Sequence, residues 1–451
     1  MIFQRLLRLK LIPLAKTSFL FLSFFLLSSC FGPIKEINYQ IEDSMDDEDV
    51  FISDPKPLNE DFINQFDLDV ISTISLDGES KRSLYISKFD NYLIYPSYDG
   101  KVSLVDFHNK IIIWTYKHTS KITAGSSFGD NKIYFVDYDG YLVALSIDGK
   151  LEWKSYVGEV FSPPLNTSNG VVVKDSNNKF FSLNQIDGSL LWDYKTPNSP
   201  LHLRSWGELT LSDEIIYAGI SAGKVLALNS NNGTLIWENT FSPPKGVSEI
   251  ERSNDTSSKV LVDEYAVYAV SSQGNIASIA KEDGVILWSR PMSSYIGVDI
   301  NDQSIIVTHN SGSIYSLNKE TKKINWRNSD LIGRDVSRPF IFDKFVVVSD
   351  YEGYLHFIDL NSGLIRARVK LADSNLLYPI IGEQPMEFIV VTLEGQVNVV
   401  SIKNSLLNDS QKNEEELKKQ QNIENIESEN DIKDNPETKE DSLIDTLIFW
   451  D

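Results

Sequence analysis

The chain has 451 residues, 41% of them hydrophobic and 24% charged, a formal net charge of −22 and one cysteine. So acidic a balance excludes nucleic acid held through a basic stripe, and it argues against adsorption to anionic lipid. A single cysteine excludes a disulfide framework, a thiolate metal centre and haem attachment.

The first 18 residues carry Arg5, Arg8, Lys10 and Lys16 without an acid, and Phe19 to Leu27 is apolar apart from Ser23. That run is too short to span a bilayer and fits a secretory signal peptide over residues 1–29. It ends in Leu27-Ser28-Ser29-Cys30, which resembles a bacterial lipobox, so Cys30 is expected to become the lipidated N-terminus. Residue 31 is Phe rather than the Asp that retains lipoproteins in the inner membrane. The expected location is the outer membrane, facing the periplasm. Residues 30–65 follow as lipid anchor and acidic linker; residues 32–61 hold ten acids and two lysines.

From residue 66 a rhythm begins. Gly100 and Trp114 stand 14 residues apart, as do Gly223 and Trp237, Gly274 and Trp288, and Gly312 and Trp326; Gly140 and Trp153 are one residue closer. Asn178 takes the glycine position before Trp192, and Gly353 is followed by Ala367 where a tryptophan is due. A final copy opens at Gly395. Repeats of roughly 40 residues are the range of propeller blades and helical arrays. Their content is β: Lys132 to Asp137, Tyr141 to Ser146 and Leu151 to Ser155 are short apolar stretches separated by Asp139-Gly140 and Asp148-Gly149 turn signals. With a strand at Ile122 to Ser126 this makes four antiparallel strands per repeat. Trp114, Trp153, Trp192, Trp237, Trp288 and Trp326 fall on the outermost strands and are expected to dock blade on blade.

The last repeat supplies three strands, Leu376 to Ile381, Glu387 to Leu393 and Gln396 to Ile402. The fourth is expected from Asp69 to Ser75, which ties the two ends together and removes an open edge. The fold class is therefore an all-β, eight-bladed propeller of four-stranded antiparallel blades over residues 66–403, closed by an N-terminal strand. Residues 404–451, with fourteen acids and five lysines, read as a disordered tail. It ends in an apolar segment, Leu443, Ile444, Leu447 and Ile448 with Phe449 and Trp450.

No catalytic or metal-binding constellation is visible in the sequence. The five histidines have no ligand spacing, and the glycines sit in hairpins rather than in a phosphate loop. No cofactor is expected.

Ala144-Leu-Ser-Ile-Asp-Gly-Lys-Leu-Glu-Trp153 and Ala227-Leu-Asn-Ser-Asn-Asn-Gly-Thr-Leu-Ile-Trp237 resemble the tryptophan-docking repeat of the quinoprotein superfamily. That superfamily includes the pyrroloquinoline-quinone dehydrogenases, which hold the quinone with an adjacent-cysteine disulfide and a calcium cluster. It also includes the cofactor-free BamB lipoproteins of the outer-membrane β-barrel assembly machinery. Two segments are similar to the latter: Pro200-Leu-His-Leu-Arg204 and Gly246-Val-Ser-Glu-Ile-Glu-Arg-Ser-Asn-Asp255. The resemblance implies that Leu201, Leu203, Arg204 and Asp255 bind the periplasmic (POTRA) domains of BamA. The family carries a second Asp two residues after Asp255, where this chain has Ser257. Both segments connect an outer strand to the next inner strand, so they emerge on one face of the ring. Independently of the resemblance, Leu201 and Leu203 also fit the start of the next inner strand, pointing into the blade.

The implied function is a non-enzymatic scaffold of the assembly complex, with unfolded outer-membrane clients as further partners. The alternatives are a periplasmic quinone-dependent dehydrogenase and an adaptor for a different envelope partner.

Overall fold

The computed structural model describes residues 54–81, 84–196, 207–245, 254–382 and 386–403. These residues form eight four-stranded antiparallel sheets, and no helix occurs among them. Blades 1 to 7 are built in sequence order, with inner strands beginning at Ser87, Ile122, Leu165, Thr210, Leu261, Gly297 and Phe340. Blade 8 takes Ile380–Ile381, Glu387–Val391 and Gln396–Ile402, and its outer strand is the N-terminal Leu68–Ser75. The closing pair runs from Leu68 opposite Ile402 to Ser75 opposite Gln396.

The middle strands of each blade are covered on both sides by neighbouring blades, and their sequences are continuous apolar runs. In blade 2, Ile133 to Asp137 is wholly buried. The outer strands alternate instead, as in Leu151–Tyr156, where Trp153 is buried between exposed neighbours. In blades 1 to 7 the register between third and outer strand slips once, beside the tryptophan position, as between Ala144 and Leu145. A bulge there bends the outer strand at the tryptophan position.

Five tryptophans share one seat. Each donates its Nε1–H to a carbonyl in the turn between third and outer strand of the next blade: Trp114 to Ile147 at 2.9 Å, Trp153 to Gln185 at 3.0 Å, Trp192 to Ser230 at 3.0 Å, Trp237 to Lys281 at 3.0 Å and Trp326 to Leu360 at 2.8 Å. The ring lies on the glycine of that same turn. A Cβ on Gly233 would come within 2.4 Å of Trp192, and one on Gly149, Gly188, Gly284 or Gly363 would meet its tryptophan at 2.5 to 2.8 Å. These five glycines have positive φ as well, so both conformation and contact demand glycine. Trp288 is the exception: the corresponding turn of blade 6 has Lys322 at φ 63°.

The seams flanking blade 8 are built differently. No hairpin joins its third and outer strands, so a tryptophan at position 367 would have no turn to dock on. Ala367 shares an apolar cluster with Phe66, whose ring lies 4.9 Å from Phe345 and edge-on to Phe357 at 5.8 Å. Phe66 ends an ordered strap. Gln65 N–H donates to Arg366 O at 2.8 Å, and Asn64 exchanges two hydrogen bonds with the backbone of Arg368 on the outer edge of blade 7. Upstream, Arg368 Nη2 donates to Asn59 O, and Lys56 N–H donates to Ile332 O at 3.0 Å. Arg334, almost fully buried, donates Nη1 to Lys56 O at 3.1 Å and Nε to Asp350 at 2.9 Å. Residues 54–65 were expected to be linker; here they lie along blades 6 and 7, held by backbone bonds and by the side chains of Lys56, Leu58, Phe62 and Asn64.

Candidate functional site

In a blade the second hairpin and the connection to the next blade share one face of the ring. The connections after Lys195 and after Thr240 thus open on the same face from adjacent blades. Leu201, Leu203 and Arg204 lie outside the described residues, as does Cys30.

The root of the second connection is described. Asn254 Nδ2 donates to Ser242 O at 2.6 Å and to Ser242 Oγ at 2.9 Å, and Thr256 N–H donates to Ile220 O at 3.2 Å. Asp255 is 1% exposed. Its Oδ1 accepts from Ala222 N–H at 3.1 Å, its own N–H donates to Ser272 Oγ at 3.2 Å, and its carbonyl accepts from Ser272 N–H at 2.9 Å. Asp255, expected to touch the partner directly, is packed against its own ring: its carboxylate holds the hairpin of blade 4 to the loop root, and its backbone holds the hairpin of blade 5. Beneath it, Lys174 of blade 3 is buried and donates to Gly219 O at 2.9 Å. Burial brings its pKa down to about 8, against the pull of Asp255 and Asp175.

A second cluster, which sequence reasoning missed, lies on the ring axis. Tyr85, Glu208, Lys259, Arg338 and Tyr378 each stand two residues before the inner strand of blades 1, 4, 5, 7 and 8. Aligning the repeats at that single register position would have exposed them, because charge and aromatic groups stand where strands converge. Glu208 accepts from Lys259 Nζ at 3.1 Å and from Arg338 Nη1 at 3.0 Å. The second bond joins blade 4 to blade 7, so it crosses the channel. Arg338 also stacks over Tyr378, 4.0 Å from the ring centroid. Burial alone would raise the Glu208 pKa, but the two cations hold it below the ordinary carboxylate value. Burial opposes the charge on Arg338, and Glu208 holds its pKa above the usual arginine value. Asp299 of blade 6 accepts from the backbone N–H of Ile300 at 2.9 Å and Ile341 at 2.7 Å; burial pushes its pKa upward.

The family model described as outer membrane protein assembly factor BamB matches residues 98–328. The factor of that name from Nitrosomonas eutropha is 31% identical over 328 residues, covering 72% of this chain and 80% of the relative. The crystal structure of BamB from Moraxella catarrhalis superposes with a TM-score of 0.68 at 23% identity, over 74% of this chain and 99% of that one. A europium-containing methanol dehydrogenase shares the fold, with a TM-score of 0.64 at 11% identity over 76% of this chain and 95% of its own.

Proposed function

Because the chain belongs to the family of outer membrane protein assembly factor BamB, we propose that it is a non-catalytic scaffold of the outer-membrane β-barrel assembly complex, anchored by lipid at Cys30 and bound to the periplasmic domains of BamA. The observation that carries this reading is the match to a relative of that name over 72% of this chain, together with the family model over residues 98–328, a range that contains both connection segments. The segment containing Leu201, Leu203 and Arg204 supplies the apolar and guanidinium groups of the partner contact, as aliphatic and arginine anchors do in protein interfaces. Asp255 acts behind it as a positioning residue, fixing the neighbouring loop at its root.

The quinone chemistry of the dehydrogenases does not fit these residues. The only cysteine is Cys30, and among the described residues no three His, Cys, Asp or Glu side chains stand together as a metal site. The axial space is also crossed by the bridge from Glu208 to Arg338.

The test is retention of the full chain by purified BamA periplasmic domains, with folding checked by circular dichroism. Leu203→Ala with Arg204→Ala is expected to weaken binding roughly thirtyfold, equivalent to about 2 kcal/mol. Asp187→Ala, in a turn on the opposite face, should leave it unchanged. A folded double variant that binds like wild type sinks the assignment of this face. Cys30→Ser should give a folded propeller that no longer sediments with outer membranes; continued acylation would refute the anchor.

A further inference from the structure

The outer strands of the ring do not present equal surfaces. On blades 8 and 1, which are neighbours, Val70, Ile71, Ile111, Ile112 and Ile113 are each 43% to 50% exposed. No other outer strand exposes more than two aliphatic side chains; blade 3 shows Leu190 and Leu191, and blade 4 shows Leu235 and Ile236. Single exposed leucines are ordinary, whereas several large aliphatics gathered on adjoining strands mark a surface built to be covered.

Blade 7 shows what such a cover looks like. Its outer strand, Ile365–Lys370, is lined by the strap: Leu58 packs on the cluster that includes Ile365, and Phe62 lies under the Arg368 guanidinium. No aliphatic side chain of that strand is left exposed. A segment from outside the blades thus already covers one outer wall of this ring.

The chain supplies a second such segment beside the apolar wall. The third strand of blade 8 ends at Ile402, opposite Leu68, and Lys403 N–H donates to Asp67 O at 3.1 Å. The chain therefore leaves the ring close to Val70, at the end of the blades where the outer strands of both begin. Beyond it, residues 404–451 hold fourteen acids and five lysines and end in Leu443, Ile444, Leu447, Ile448, Phe449 and Trp450. As a random coil, residues 404–442 would span about 35 Å end to end, enough to return to the wall beside which they start. Charge favours that return. Lys110 and Lys117 bound the apolar stretch of blade 1, both exposed and paired with no acid among the described residues. The apolar end of the arm carries Asp441, Asp445 and Asp451.

We propose that residues 443–450 fold back on the outer wall of blades 8 and 1 and cover Val70, Ile71 and Ile111 to Ile113. A tethered segment acts at an effective concentration of about a millimolar, so docking needs only a weak intrinsic affinity. The wall beneath is already folded, and the stability of the ring does not depend on its cover.

Photo-crosslinking of the full chain tests this, with benzoylphenylalanine in place of Trp450, in the purified protein and in membranes. Irradiation is expected to join position 450 to residues 68–75 or 111–117 of the same chain, as mapped by mass spectrometry. Ile71→Asp with Ile112→Asp removes apolar contact and sets like charge against the arm, so the yield should fall severalfold. Leu190→Asp with Leu191→Asp, the same charge change on blade 3, should leave it unchanged. All four positions are exposed, and circular dichroism melts should show both variants folded. The map from the otherwise unchanged chain decides the site even if a variant is destabilised. Crosslinks elsewhere on the ring, crosslinks between two chains that rise with concentration, capture of another envelope protein, equal yields in the two folded variants, or no crosslink at all would each overturn the proposal. Retention by BamA periplasmic domains is read separately, so failure here leaves the scaffold reading standing.

Discussion

The seams between blades 1 to 4 and those on either side of blade 8 do the same work with different chemistry. In the former, a tryptophan on one blade seats on a glycine turn of the next, and everything needed lies within about one repeat of sequence. Around blade 8 the ring is closed by chain that arrives from some 300 residues away. Phe66 fills the apolar space beside Ala367, residues 64–65 bond the edge of blade 7, and Leu68–Ser75 completes the last sheet. Repetition can lengthen an array, but only a segment from the other end can close it.

The largest effect should come from removing the closure. Truncation of everything before Leu76 leaves the last blade with three strands and an open apolar edge, Gln396–Ile402. That chain is expected to lose cooperative unfolding and to aggregate, as followed by circular dichroism and light scattering. Removing residues 404–451 instead should leave the melting temperature nearly unchanged, since the ring is complete without them. A large fall on tail removal would show that closure depends on more than the N-terminal strand.

Next in size are the single rings that fill the two kinds of seam. Trp192→Ala and Phe66→Ala each remove a buried aromatic and should cost about 3–5 kcal/mol in urea unfolding. Trp192 also loses its bond to Ser230 O. A much smaller loss at Phe66 would mean that the strap, rather than the ring, holds blades 7 and 8 together.

Much of this architecture could be read from sequence because its determinants are local and periodic. Asn178 kept its place in the pattern for a physical reason: it adopts φ 56°, which asparagine tolerates better than most residues. The closing strand was readable because the last repeat lacked its fourth strand and the stretch Asp69 to Ser75 stands before the first complete set of four. The strap was not, because its few side-chain contacts, from Lys56, Leu58, Phe62 and Asn64, follow no period and its acidic composition resembles a linker. The motif placed Asp255 but not its direction, which depends on hairpins from two blades. The axial cluster draws one residue from each of several repeats, so no window of sequence contains it.

The seam between blades 3 and 4 carries a charged lock besides Trp192, and pH separates the two. Lys174 titrates at about 8 when folded, against 10.5 ordinarily. Below pH 8 the folded state bears the buried ammonium at a cost that the unfolded chain does not. Between about 8 and 10.5 the unfolded chain holds the proton and the folded one does not, so stability should rise with pH across that window. The full gain is about 3 kcal/mol from a shift of this size. Lys174→Met should abolish the rise in a series of urea melts. If the rise persists in that variant, another group is responsible.

The smallest effect probes why one tryptophan seat differs. Lys322 and Lys110 both hold the turn position of the missing glycine, at φ 63° and φ 61°. Glycine at either site relieves a left-handed conformation, which costs a side-chain-bearing residue about 1 kcal/mol. The two turns face different neighbours, however. Trp288 stands on the blade before Lys322, whereas the strand before Lys110 is Leu68–Ser75, which has no tryptophan. Lys322→Gly should therefore gain both the conformational relief and a seated indole, and Lys110→Gly only the relief. The expected difference is a few tenths of a kcal/mol to about 1 kcal/mol, resolved by paired melts and by quenching of Trp288 fluorescence in the first variant. Equal gains at both turns would mean that glycine serves the turn alone, and that the tryptophan takes its seat from the bulge beside it.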